Sequence, residues 1–456
     1  MSRNKTILAV AAVLIIVLGL AFLAQVRNLQ KQLRSSVRIV PAESKARQDL
    51  GESGTGQDAA YASRPEILVK FRAGVSADAI GELTRRLGDR VQDEIEAVPG
   101  LNMIDDPDNA EASTLVEQYR ALPEVEYAEP NYEITIDQPK TDEARSDDPR
   151  LGEQWWLKDI GAAQAWTSSK GTEDIVVAVL DSGVEYTHPD LVNNIWTRPE
   201  NIKPYQDRDL GTVDDVHGYD AVSNDGDPMD DNGHGTNCAG IIGAECGNAI
   251  GVCGVNWNIK IMPLRFINAG GLGTLADAIE AINYAIDRKR AGVNLRVINA
   301  SWGLSGESRA LADVLRKAQE EDLLIVAASG STGNNNDAIP HFPASYDVEN
   351  IVSVAAVDKS GALARFSNYG ASSVQLGAPG SDILTTALGN DYEQRSGTSM
   401  AAPVVTAVAA LALSAHPGLS VVQLRSRLLD SVDELPGLAG KVSTGGRISA
   451  PQAVDR

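Results

Sequence analysis

Asp181, His234 and Ser399 are the residues whose types and settings best suit chemistry. A serine hydroxyl is a weak nucleophile. It becomes a strong one when a base takes its proton and a carboxylate orients that base. The three types occur here in the order Asp, His, Ser, each close to glycine. Asp181 follows the apolar run Ile175 to Leu180 and precedes Ser182 and Gly183. His234 lies in Asp231-Asn-Gly-His-Gly-Thr236, where the glycines leave an imidazole reachable. Ser399 lies in Ser396-Gly-Thr-Ser-Met-Ala-Ala-Pro403 and opens an apolar stretch that runs to Leu413. At a helix start, backbone N–H groups and the dipole favour an oxyanion forming beside the hydroxyl. Taken singly, such an Asp is ordinarily a turn or cap residue and such a His is ordinarily structural. Taken together they form a triad arrangement for acyl transfer. A lipase or esterase is disfavoured, because no Gly-x-Ser-x-Gly elbow surrounds Ser399.

Three distant side chains need a rigid frame to meet. In an open parallel sheet, reactive groups collect just past the carboxyl ends of strands. The apolar runs 175–180, 259–267, 295–300, 323–328 and 351–357 read as strands buried on both faces. Helices are expected at Thr274 to Arg290, Arg309 to Glu321, Thr398 to Ala415 and Ser420 to Leu429. The fold class over residues 151–456 is therefore α/β, a parallel sheet flanked by helices. Residues 65–136 read as β-α-β-β-α-β, a small α+β ferredoxin-like unit. Ser76 caps its first helix, a second helix runs from Asn109 to Leu122, and Val125 to Ile134 forms its last strand. Residues 25–64 are a polar linker. Residues 137–150 are a charged linker open to proteolysis.

The 456 residues suffice for two or three domains, and 43% hydrophobic with 22% charged residues is a packed globular profile. A net charge of −22 argues against nucleic acid as a partner. Arg3 and Lys5 precede the apolar run Ile7 to Ala24, which reads as a membrane-spanning anchor or a cleaved signal within residues 1–24. Cys238, Cys246 and Cys253 leave at least one thiol free within one chain. Cys246 and Cys253 bracket a short loop and are read either as a disulfide or as reduced small apolar residues. Asp220, Asp225, Asp227, Asp230 and Asp231 crowd one loop before His234. Carboxylates at that density repel unless a cation sits among them, and hard oxygen ligands favour calcium. A solvated acidic loop is the alternative. Asp207, Asp209 and Asp214 form a further sparse acidic run with no site assigned to it.

Val177-Ala-Val-Leu-Asp-Ser-Gly-Val184, His234-Gly-Thr236 and Gly397-Thr-Ser-Met-Ala-Ala-Pro403 resemble the three active-site motifs of subtilisin-like serine proteases. Residues 65–136 resemble the inhibitor-like propeptide of these enzymes, with Tyr127-Ala-Glu-Pro-Asn-Tyr132 as its last strand. The resemblance implies a serine endopeptidase acting on polypeptides through an acyl-enzyme, with Asp181, His234 and Ser399 as the triad. It implies that the chain is an autoprocessed monomeric precursor with its own propeptide as intramolecular inhibitor. Ser301, Trp302, Gly303, Ala327, Ala328 and Ser329 would line the pocket for the residue before the cut. Gly271, in Ala269-Gly-Gly-Leu-Gly273, would belong to an edge that binds extended peptide. Asp220, Asp225 and Asp227 would be the calcium ligands of the acidic loop. Asp190, Glu245, Asn248, Ile250 and Val252 would hold a second structural calcium. Export follows, to an extracytoplasmic place, membrane-anchored or secreted. Two positions depart from the family. Ser331 stands where an oxyanion-hole Asn is usual, which leaves a catalytically impaired peptide-binding pseudoprotease as the alternative. Asn237 stands where many relatives carry a second His.

Overall fold

The computed structural model describes residues 66–107, 112–135 and 150–455. The apolar segment 1–24, the linker 25–64 and residues 136–149 lie outside the described residues.

The N-terminal unit contains β1 (Glu66–Phe71), α1 (Ala77–Leu87), β2 (Arg90–Glu94), β3 (Leu101–Asp105), α2 (Ala112–Arg120) and β4 (Val125–Pro130). The sheet order is β2-β3-β1-β4, all antiparallel, as a ferredoxin-like unit requires. Ser76 caps α1 through its hydroxyl, and Gly88 ends it in the left-handed region at φ 98°. Along β1 the side chains alternate. Ile67, Val69 and Phe71 turn to the unit's own helices, and Leu68 turns the other way.

The strand expected over Val125 to Ile134 is broken in two. β4 ends at Pro130, and β5 (Glu133–Thr135) leaves this sheet to pair antiparallel with β11 (Leu272–Thr274). The reason lies between them. Asn131 Oδ1 accepts from the Ala276 N–H at 2.9 Å, and the Tyr132 carbonyl accepts from Leu275 N–H at 2.9 Å. These residues satisfy a helix start elsewhere, which a continuous strand would not allow.

The larger unit opens with α3 (Trp155–Asp159) and α4 (Ala162–Ala165). It continues with β6 (Gly171–Asp181), the hairpin β7 (Tyr205–Asp207) and β8 (Gly211–Val213), and β9 (Tyr219–Asp220). Then come α5 (His234–Gly243), β10 (Asn258–Arg265), β11, α6 (Leu275–Arg290), β12 (Leu295–Ala300) and α7 (Arg309–Glu320). β13 (Leu324–Ala328), β14 (Ile351–Val357), β15 (Leu376–Pro379), β16 (Ile383–Ala387) and β17 (Asp391–Arg395) follow. The chain ends with α8 (Thr398–Ala415), α9 (Val421–Asp430), β18 (Val432–Glu434), β19 (Gly446–Ile448) and α10 (Ala450–Asp455).

The main sheet runs β18-β19-β15-β14-β13-β12-β6-β10-β9, with only the β18–β19 pair antiparallel. β6 is central and buried on both faces. Val177 and Val179 join the α5 and α8 side, while Val176, Ala178 and Leu180 join the α6 and α7 side. α8 is apolar all round because helices and sheet enclose it. Leu68, Leu101 and Met103 of the N-terminal unit belong to the α6 and α7 cluster. That unit's sheet therefore lies between its own helices and those of the larger unit. Cys246 and Cys253 form a disulfide, and Cys238 is free and buried.

Candidate active site

β6 carries Asp181 at its carboxyl end, α5 begins with His234, and Ser399 is the second residue of α8. All three are buried. His234 Nδ1 lies 2.7 Å from Asp181 Oδ1. The same oxygen accepts from the Ser182 N–H at 2.8 Å. A proton held between Nδ1 and the carboxylate leaves Nε2 as the basic nitrogen. That Nε2 is buried and has no hydrogen-bond partner. Cys238, one turn into α5, gathers the pieces. Its Sγ lies 3.9 Å from Asp181 Oδ2 and 3.6 Å from the Ser399 carbonyl. Burial, and next the Asp181 charge, push this thiol well above its ordinary 9.0. It stays protonated at neutral pH and is no rival nucleophile. Ser301 Oγ donates to the Ser399 carbonyl at 2.8 Å and fixes the first turn of α8 from the end of β12.

Asp230 holds this corner in register. Its Oδ1 accepts from Ser182 Oγ, Asn232 N–H and Gly233 N–H, each at 2.9 Å. Its Oδ2 accepts from Thr236 N–H at 2.9 Å and Thr236 Oγ at 2.6 Å. One carboxylate thus ties the residue after Asp181 to the turn that starts at His234. Burial raises its pKa and these donors oppose the rise. Sequence reasoning missed the role. Its only signal is the short spacing from Asp230 to a glycine-flanked helix start, as for a capping residue.

Ser331 stands beside the residue before Ser399. Its Oγ accepts from the Thr398 N–H at 3.1 Å and lies 3.2 Å from Thr398 Oγ1. The β12–β13 register pairs Ala300 with Ala327, so Ser301, Trp302 and Gly303 run beside Ala328 and Ser329. Their side chains serve packing. Ala327 and Ala328 are core residues of β13, and Trp302 stacks edge-on against Phe266 at 5.0 Å. Ser329 Oγ donates to the Asn368 carbonyl. Gly271 has φ +77° and leads into β11, the edge that β5 occupies.

The acidic loop corrects the expectation of mutually repelling carboxylates. Arg265, at the end of β10, pairs with Asp220 at 2.6 Å and Asp231 at 2.8 Å. Asp227 accepts from Tyr186 OH, and Asp225 accepts from Asp227 N–H. Asp220, Asp225 and Asp227 do not converge on one point with a shared-ion spacing, in contrast to two other groups among the described residues. Arg265 thus serves Asp220 and Asp231 and leaves Asp225 and Asp227 to neutral donors. The second set surrounds Asp190 through hydrogen bonds. The buried Asp190 carboxylate accepts from Asn248 Nδ2 at 2.6 Å and Val252 N–H at 2.9 Å. The Asp190 carbonyl accepts from Glu245 N–H at 2.8 Å, and Ile250 N–H closes onto Asn248 Oδ1. The Cys246–Cys253 disulfide shuts this loop. The loop thus folds around a buried carboxylate, a hard oxygen donor of the kind calcium takes. Asn237, the second departure, is a packing residue whose amide donates to the Thr386 carbonyl and Glu393.

The N-terminal unit reaches the site's flank through Glu129. Its carboxylate accepts from Ser308 Oγ, from Arg309 N–H at 2.9 Å and from Ala310 N–H at 3.2 Å, which caps α7. Burial raises the Glu129 pKa, and the Ser308 and amide donors oppose the rise.

The family model described as the Subtilase family matches residues 172–446. That of the Fervidolysin N-terminal prodomain matches residues 51–131. The chain is 35% identical over 389 residues to the "Thermophilic serine proteinase" of Bacillus sp. (strain AK1), covering 85% of this chain and 87% of the relative. It is 35% identical over 336 residues to the "Halolysin-like extracellular serine protease Nep" of Natrialba magadii, covering 73% and 56%. It is 34% identical over 300 residues to the "Subtilisin-like protease 1" of Plasmodium falciparum (isolate 3D7), covering 61% and 43%.

Proposed function

The chain belongs to the subtilase family as a serine endopeptidase with an N-terminal prodomain, and we propose that Asp181, His234 and Ser399 perform its peptide-bond hydrolysis. One observation carries this reading: the His234–Asp181 bond of 2.7 Å, with the opposite ring nitrogen buried and unpartnered. Ser399 Oγ attacks the scissile carbonyl as His234 Nε2 takes its proton. Asp181 keeps the ring oriented and stabilises the imidazolium. His234 then returns the proton to the leaving amine, and water repeats the cycle on the acyl-enzyme. The Ser399 N–H at the start of α8 faces the developing oxyanion. Ser331 is the second donor. Its hydroxyl accepts from Thr398 N–H, so its proton remains free to turn toward the oxyanion or toward Thr398. An Asn amide reaches further than this hydroxyl. Ser331→Asn is expected to raise turnover by on the order of 10², the scale set by the reverse loss in a subtilisin.

The prodomain acts as an intramolecular inhibitor. β5 adds a strand to β11, as an extended substrate would, and the chain then enters residues 136–149. Cutting within 137–150 would separate prodomain from enzyme. Calcium held by Asp190, Glu245, Asn248, Ile250 and Val252 would be structural, stabilising the folded state by binding it alone. Export accords with the extracellular designation of the Natrialba relative and with the Cys246–Cys253 disulfide. The residues before 25 would be the targeting segment or membrane anchor. The test follows the size of purified precursor and of its Ser399→Ala variant over time. Self-shortening in the parent and none in the variant is expected. Shortening of both would remove Ser399 from the nucleophile's role.

A further inference from the structure

A second contact joins prodomain and catalytic domain, and it is built of acids. Glu96 follows β2 of the prodomain, Asp207 ends β7, and Glu280 lies in α6. Carboxylate oxygens of these three lie within 4.8 Å of one another. Asp93 and Asp209 stand at the same place, bonded to each other. The neighbouring Arg208 turns its guanidinium to Glu94 instead.

Ordinary donors serve part of the cluster. Glu280 Oε1 receives Tyr205 OH at 3.2 Å and Asn283 Nδ2 at 3.3 Å. Asn283 Nδ2 also reaches Glu96 Oε2 at 2.8 Å. Asp207 Oδ1 receives the amides of Asp209 and Leu210 at 2.8 Å and 2.6 Å. Glu280 Oε2 receives nothing, although the residue is only 6% exposed. Together with Asp93, Asp207 and Asp209 it lines a cavity of about 170 Å³. Gln92 Oε1, in the same wall, is likewise buried without a partner. A buried oxygen left unserved beside four carboxylates, at a cavity large enough for an ion and its waters, calls for a ligand.

We propose that Glu96, Asp207 and Glu280 bind one divalent cation of the calcium type, shared between prodomain and catalytic domain, so that the ion clamps the docked prodomain. The spacing suits it. Calcium–oxygen distances of about 2.3–2.6 Å put oxygens around one ion up to about 5 Å apart. The donors are all hard oxygens. Losing the prodomain removes Glu96 from the set. By linkage the ion then tightens docking by about 100-fold when its free concentration is 100 times its dissociation constant for the docked state.

The inference rests on residues 65–136 being a docked prodomain. It does not rest on the triad, because ion binding is counted without cleavage. The experiment uses the full-length Ser399→Ala precursor, with and without Glu96→Gln. Glu96 is exposed, so its substitution spares the core. Bound calcium is counted by equilibrium dialysis, and terbium luminescence is excited through tyrosine, since Tyr205 touches Glu280. Glu96→Gln is expected to lose one bound ion and most of the tyrosine-sensitised signal. An unchanged ion count and signal overturns the site. So does a precursor whose thermal stability follows acidity alone and ignores calcium and chelator, for then protons settle the cluster.

Discussion

Asp230 and Glu280 are equally buried, each 6% exposed, and their circumstances are opposite. Asp230 receives five donors shared over both oxygens. Glu280 receives two, both on Oε1. The difference comes from position in the helix. Asp230 sits just before the first turn of α5, where backbone N–H groups are unclaimed. Glu280 sits mid-helix in α6, where every nearby amide is already spent on the helix. Depth alone does not decide whether a buried carboxylate is stable. The supply of donors does. Glu129 shows the same rule across a domain boundary, because it is docked onto the free amides at the start of α7.

The largest expected effect breaks the well-served side. Asp230→Ala leaves Ser182, Thr236 and the turn amides without an acceptor in a closed space. A loss of about 3 kcal/mol in stability is expected, read by calorimetry. Turnover should fall with it, because Asp181 and His234 lose their common brace. Asp230→Asn keeps one accepting oxygen and should cost less. A melting temperature unmoved by Asp230→Ala would dissolve the contrast.

Next in size is Glu129→Ala, which uncaps α7 and should weaken prodomain docking by about 2 kcal/mol, roughly 30-fold. The precursor would then show a shorter lag before activity. Acidity sharpens this test. Burial raises the docked Glu129 above its ordinary 4.5, so docking favours the protonated form. Its contribution is complete below pH 4.5 and declines as pH rises through the docked value. Glu129→Gln should remove that slope, and a lag with the same pH dependence in both proteins would assign the slope to another group.

What the sequence made legible follows the range of each interaction. The five apolar runs became β6, β10, β12, β13 and β14 because burial on both faces leaves a local mark. The Asp181–His234 pair was readable for the same reason, since each member carries its own glycine-rich turn. The broken strand at Asn131 was not readable, because its partner amides lie at Leu275 and Ala276. Nor was the pairing of Asp220 and Asp231 with Arg265, which reaches the acidic loop from the next strand. The cluster of Glu96, Asp207 and Glu280 draws on three distant segments, and spacing along the chain holds no trace of it.

The smallest expected effect is the most discriminating, because its sign is opposite to that at Asp230. In chelator, Glu280→Gln replaces an unserved oxygen beside two carboxylates with a neutral amide that can donate to them. The precursor should become more stable by about 1 kcal/mol. In calcium the same substitution removes a proposed ligand, and the gain should shrink or reverse. A donor-rich pocket cannot behave this way, since neutralising Asp230 costs stability in either solution. A Glu280→Gln precursor that loses stability equally in chelator and in calcium would place Glu280 with Asp230, as a carboxylate its surroundings already satisfy.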